Sequence, residues 1–73
     1  MSDPLFLVIS DGEAASIEAV LILSELNVPF TVVPSKHHSE YRQFPQTFYR
    51  GRRLGTLQDL ITFTEEQRNG LRN

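Results

Sequence analysis

An α/β domain on a four-stranded mixed sheet is the fold class this sequence predicts, from three observations. First, the apolar run Pro4-Leu5-Phe6-Leu7-Val8-Ile9 precedes a stretch rich in Ala, Leu and Glu. Pro29 closes that stretch ahead of Phe30-Thr31-Val32-Val33. Strand, helix and strand in that order make a right-handed unit with parallel strands. Second, Thr47-Phe48-Tyr49 is β-branched and aromatic, and Arg50-Gly51 follows it as a turn into a short further strand. Gly accepts φ > 0 at no steric cost, so the pair suits a hairpin. Third, Thr56 is a good N-cap and Asp59 follows three residues later, where a carboxylate meets the free N–H groups of a starting helix.

At 73 residues the chain reads as one domain, 1–73. A domain this small buries only about 60% of the surface its unfolded form exposes, so the core is marginal. No cysteine is present, which excludes disulfides, thiolate metal sites and a thiol nucleophile. No apolar run approaches the roughly 20 residues of a membrane span, and no basic region followed by an apolar core marks a signal peptide. The expected setting is cytoplasmic or virion-associated, with no membrane partner.

The net charge of −2 is unevenly spread. Up to residue 30 the charges are Asp3, Asp11, Glu13, Glu18 and Glu25, all acidic. From 36 to 53 they are Lys36, Glu40, Arg42, Arg50, Arg52 and Arg53, mostly basic. This reads either as a solvated surface with chance clustering or as one acidic and one basic face. A pI near 5.5 argues against nucleic acid as a partner.

The first apolar run suits a central strand covered on both faces. Ser10-Asp11-Gly12-Glu13 fits a Ser-x-x-Glu capping box. The first helix is then expected over about 12–26. Ala15, Ala19, Ile22, Leu23 and Leu26 share one face, and Ile17, Val20 and Leu21 extend the apolar surface round the other side. Such a helix is either wedged between the sheet and the last helix or offers a docking face. Residues 35–44 hold few aliphatics and leave room for about two helical turns at most. The last helix is expected over about 57–67, burying Leu57, Leu60, Ile61 and Phe63. Asn69-Gly70 should end it and residues 69–73 should fray.

From about residue 5 to 66 the chain resembles a glutaredoxin. Gln43-Phe44-Pro45 stands where that family has Thr-Val-Pro. Thr47-Phe48-Tyr49 matches its strand, Arg50-Gly51 its x-Gly turn, and Gly55-Thr56-Leu57-Gln58-Asp59-Leu60 its Gly-Gly-x-Asp-Asp-Leu. Asn27-Val28-Pro29-Phe30 is similar to the family's Gly-Val-Pro-Tyr. The resemblance implies a shortened thioredoxin-like fold: sheet order 2-1-3-4, third strand antiparallel to the first two, two main helices and a short or missing middle helix. It also implies a cis Phe44-Pro45 bond.

The family's reactive Cys-Pro-Tyr-Cys falls on Glu13-Ala14-Ala15-Ser16. Disulfide exchange needs a sulfur nucleophile, and Ser16 cannot substitute without a paired base. Glu13 reads either as a capping glutamate or as a carboxylate mimic of the lost thiolate. The glutathione site is eroded in the same way. The main chain of Phe44 can still offer strand-like hydrogen bonds. Thr56 replaces a Gly, Gln58 replaces an Asp, and Asp59 alone matches. The resemblance thus implies no cofactor, with at most weak glutathione binding, to which Lys36 or Arg42 would contribute a positive charge.

Three smaller signals remain. Adjacent His37 and His38 do not converge on one metal. Arg50, Arg52 and Arg53 crown the hairpin, as solvated charges or to meet an acidic partner. Tyr41, Phe44 and Tyr49 are either groove or core. The resulting expectation is a redox-inactive glutaredoxin-like protein, not an enzyme. It would bind a protein partner, or serve as a small subunit of a larger assembly such as a virus particle. The candidate surfaces are the groove by Phe44 and Pro45 with Thr56, Gln58 and Asp59, the first helix around Glu13 and at Leu21, and the hairpin with Arg50, Arg52 and Arg53. The alternative is a glutathione-dependent oxidoreductase whose cysteines have been replaced in this sequence.

Overall fold

The computed structural model describes residues 5–72. Strand β1, Phe6–Ser10, leads into helix α1, Ala14–Glu25, and then strand β2, Phe30–Pro34. A single 3-10 turn over Ser35–His37 follows. Strands β3, Gln46–Tyr49, and β4, Arg52–Gly55, form the hairpin, and helix α2, Leu57–Arg72, closes the chain. The sheet order is β2-β1-β3-β4, with β1 and β2 parallel and the other pairs antiparallel. The expected mixed sheet, order 2-1-3-4, is therefore the observed one. Pro4, the first residue of the apolar run, lies outside the described residues.

Register explains which residues are buried. Phe6 and Val8 stand beside Phe30 and Val32 on one side and Tyr49 and Thr47 on the other. Alternation places all six on one sheet face. Both helices cover that face, and Phe6, Val8, Ala19, Leu23 and Leu60 form the buried core. Phe6, Tyr49 and Phe63 stack as an aromatic trio, with centroids 4.8–6.1 Å apart. Tyr49 is thus a core residue, settling one of the two readings given to it. On the other face Leu7, Val33 and Phe48 are only half-buried. The 3-10 turn stands where a longer middle helix would have to sit. The chain needs no such helix, because β3 runs antiparallel and starts at the end where β2 stops.

Helix α1 ends differently from the expected proline stop. Asn27 adopts φ 58°. Its N–H donates to Ser24 O, and the Val28 N–H donates to Leu23 O. This is a Schellman motif with Asn in the left-handed position, and it is complete before Pro29. Helix α2 also differs. Helical backbone continues through Asn69-Gly70 to Arg72, so the helix does not stop at 69 as expected. Asn73 lies outside the described residues. Gly costs only about 1 kcal/mol in a helix interior, too little to end a helix already formed over three turns.

Candidate functional site

The carboxyl ends of β1 and β2, the start of β3 and the end of β4 meet at one end of the sheet. Register places Gln46 beside Ile9 and Gly55 beside Thr47. Helix α1 starts there after β1, and α2 starts there after β4. Two helix N-termini and the Phe44–Pro45 segment therefore share one end.

The capping box read from Ser10 and Glu13 is not formed. Gly12 takes φ 79°, and Glu13 is itself the N-cap, with extended backbone and no side-chain cap hydrogen bond. The Ile17 N–H donates to Glu13 O, which starts the helix. Asp11 supplies the local order instead. Its Oδ1 accepts the Glu13 N–H at 3.0 Å and the Ser16 hydroxyl at 2.9 Å. Its own N–H donates to Ser16 Oγ at 3.4 Å. The Ser10 hydroxyl accepts the Gly12 N–H. Hydrogen bonding by the Glu13 N–H, and then by Ser16, holds the Asp11 carboxyl below its ordinary value of 3.8. Glu13 and Ala14 are exposed and Ala15 is half-buried. Ser16 is fully buried.

At the other helix start, the Asp59 carboxylate folds back onto Thr56. Its Oδ2 accepts the Thr56 N–H at 3.0 Å and faces the Thr56 hydroxyl at 3.4 Å. The Leu60 N–H donates to Thr56 O. Asp59 thus caps α2 as expected, and one of its oxygens is already engaged. Gly55, at φ 129°, lies so close that a Cβ there would collide with this carboxylate. Gln58 is exposed.

Between the two starts lies the cis Phe44–Pro45 peptide. Pro45 is buried and Phe44 half-buried. Gln46 pins this segment. Its Nε2 donates to Gln43 O at 2.9 Å, and its Oε1 accepts from Arg53 Nη1 at 3.1 Å. Among the described residues, the Phe44 N–H and C=O engage in no side-chain or loop backbone hydrogen bond.

The structure separates the remaining candidates. Arg50-Gly51 turns the hairpin at the opposite end of the sheet, where the Arg50 N–H donates to Leu5 O. Arg50 lies over the Tyr49 ring at 5.5 Å, and Arg52 is exposed beside Tyr49 in register. Only Arg53 reaches toward the Phe44–Pro45 end. Arg53 is thus nearer the Phe44–Pro45 end through Gln46, while Arg50 stays at the hairpin turn. Leu21 is exposed on α1. His38 Nδ1 lies 3.4 Å from Glu40 rather than paired with His37. Among the described residues no cluster of three or more potential metal ligands occurs.

Sequence reasoning missed Asp11 and Gln46. A polar Ser16 in the first turn of an otherwise apolar helix was the available signal, since a buried hydroxyl requires a partner. An apolar cavity of about 310 Å³, lined by Leu5, Phe6, Leu26, Val28, Tyr49 and Phe63, lies at the opposite end and was also missed.

This arrangement is that of a small thioredoxin-like domain with no sulfur at its helix start. No family model matches the chain, and no curated protein does. Among solved structures, the holo form of glutaredoxin C1 from Populus tremula x tremuloides is similar in fold. The TM-score is 0.66 over 93% of this chain and 79% of that chain, at 18% identity. The chain therefore has a glutaredoxin-like thioredoxin fold without cysteine. No helix among the described residues is long and apolar enough to cross a membrane.

Proposed function

We propose that this protein is redox-inactive and works by binding an extended segment of a protein partner at the Phe44–Pro45 end. The observation that carries this reading is the free main chain of Phe44 beside two helix starts without a nucleophile. A strand-like peptide would pair with Phe44 through backbone hydrogen bonds, as in strand addition to an exposed backbone edge. Glu13 at the exposed start of α1 would repel an acidic peptide and favour a basic one. Thiol–disulfide exchange has no thiol to run on, and Ser16 is buried and already bonded to Asp11. Glutathione binding would be weak, because Gln58 carries no charge and Asp59 is engaged in capping. The same end would serve a neighbour in a larger assembly, viral or cellular.

The test has two arms. A coupled glutathione-disulfide assay should give only the rate of a heat-treated control. Screening a peptide array against the intact protein should yield extended basic binders whose amide-shift changes centre on Phe44, Glu13 and Thr56. Turnover above control sinks the redox-inactive reading. Binders that leave those three amides unmoved sink the site.

A further inference from the structure

Among the described residues, the exposed large hydrophobics are Ile17, Leu21 and Val32. Helix α1 turns Ile22 and Leu26 toward α2, where they line a cleft with Ile61 and Thr64. At about 100° per residue, Ile17 and Leu21 fall on the opposite side of the helix. Leu21 falls nearly opposite the buried Ala19 and Leu23 and so points away from the sheet, with Ile17 next to it on the exposed side of the helix. Val32 stands beside Val8 in register, so it belongs to the helix-covered sheet face. It is nevertheless 44% exposed, because β2 is the outermost strand.

Among the described residues, no strand pairs with the outer edge of β2. The Phe6 N–H donates to Pro29 O, and Phe6 pairs with Phe30. In a parallel ladder this fixes the alternation: Thr31 and Val33 bond to β1, while the N–H and C=O of Phe30 and Val32 point outward. Natural edges are usually guarded by charge, by a bulge or by an internal proline. Phe30-Thr31-Val32-Val33 has none of these, and Pro34 only ends the strand.

We propose that the chain forms a twofold dimer by antiparallel pairing of β2 with β2 of a second copy. Centred on Val32, such a pair exchanges two Val32 N–H···O=C bonds across the axis. Phe30 N–H then meets Pro34 C=O on each side. The one bond proline cannot donate falls at the margin, where water replaces it. The axis stands perpendicular to the sheet, so both α1 helices remain on the same face. The two Val32 side chains, exposed in the monomer, come together on that face. Charge favours a second copy over an arbitrary strand. Antiparallel pairing sets Lys36, just past β2 in one copy, beside the carboxyl end of α1 in the other. That end carries Glu25, has no basic residue in its last turn, and holds the negative pole of the helix. The surface is distinct from the Phe44–Pro45 end, so either reading can fail without the other.

Sedimentation equilibrium over micromolar to millimolar concentration tests the dimer directly. In parallel, amide exchange at high and low concentration should show slowing at Phe30 and Val32 as the dimer fills, with Thr31 and Val33 unchanged. Val32→Pro removes the central outward donor and leaves the bonds to β1 in place, since proline is tolerated on an edge. It should weaken dimerisation at least about tenfold, as loss of two hydrogen bonds implies. Lys36→Glu, remote from the core, should weaken it with the circular-dichroism spectrum unchanged. A monomer at every concentration overturns the proposal. So does a dimer that both variants leave intact, or one in which the Phe30 and Val32 amides exchange at the monomer's rate.

Discussion

Asp11 and Ser16 hold each other twice, hydroxyl to carboxylate and main-chain N–H back to hydroxyl, across the turn that starts α1. Because the Asp11 carboxyl lies below its ordinary 3.8 in the folded state, its ionised form favours folding. The contribution is present above the unfolded value and is lost as pH falls through the folded one. Urea midpoints should therefore fall below about pH 4. Asp11→Asn should flatten that part of the profile. A carbon-13 titration placing Asp11 at or above 3.8 would contradict this account.

Ser16→Ala removes a buried hydroxyl whose partner is exposed and can turn to water. The cost should be about 1 kcal/mol in urea denaturation. Ser16→Val adds volume at a fully buried site and should cost more, about 1–3 kcal/mol. Equal effects of the two would show that the site is looser than its burial indicates.

Gly55 and Asp59 are coupled by space. At φ 129° an L residue is strained, and an added methyl meets the carboxylate. Gly55→Ala should destabilise by about 1–3 kcal/mol from backbone strain alone. Asp59→Ala should cost about 1 kcal/mol through the lost cap. In the double variant the collision is relieved, so the combined loss should be smaller than the sum. Strict additivity would refute the contact.

Leu60 lies at the centre of the core with no exposure. Leu60→Ala should cost about 2–5 kcal/mol by cavity formation, a large share of the stability of so small a domain. Leu21→Ala, on the exposed flank, should change monomer stability by no more than about 0.5 kcal/mol. Thermal melts of both at low protein concentration distinguish core from surface.

Much of this fold was legible because its signals repeat at several levels. The apolar run, the proline after the first helix and the Arg50-Gly51 turn each pointed to the same sheet. The turn shows how directly: Arg50 at φ 51° and Gly51 at φ 83° both occupy the left-handed region. The start of α1 was harder. Ser10 and Glu13 have capping-box spacing, but Asp11 lies between them and reaches the Glu13 N–H first, moving the helix start onward. Spacing alone does not rank two competing acceptors. The end of α2 was misjudged for a similar reason, since Asn-Gly signals a stop only when the helix before it gains by stopping.

The position of Leu60 also bears on the order in which a ribosome delivers this chain. Helix α1 and the two parallel strands emerge first, yet Phe6, Val8, Ala19 and Leu23 enclose an apolar core that Leu60 completes from α2. Until translation has passed that residue, the nascent chain carries an unsealed apolar face with strand edges beside it. Such intermediates aggregate readily, so slow synthesis between the hairpin and α2 would make this protein dependent on chaperones.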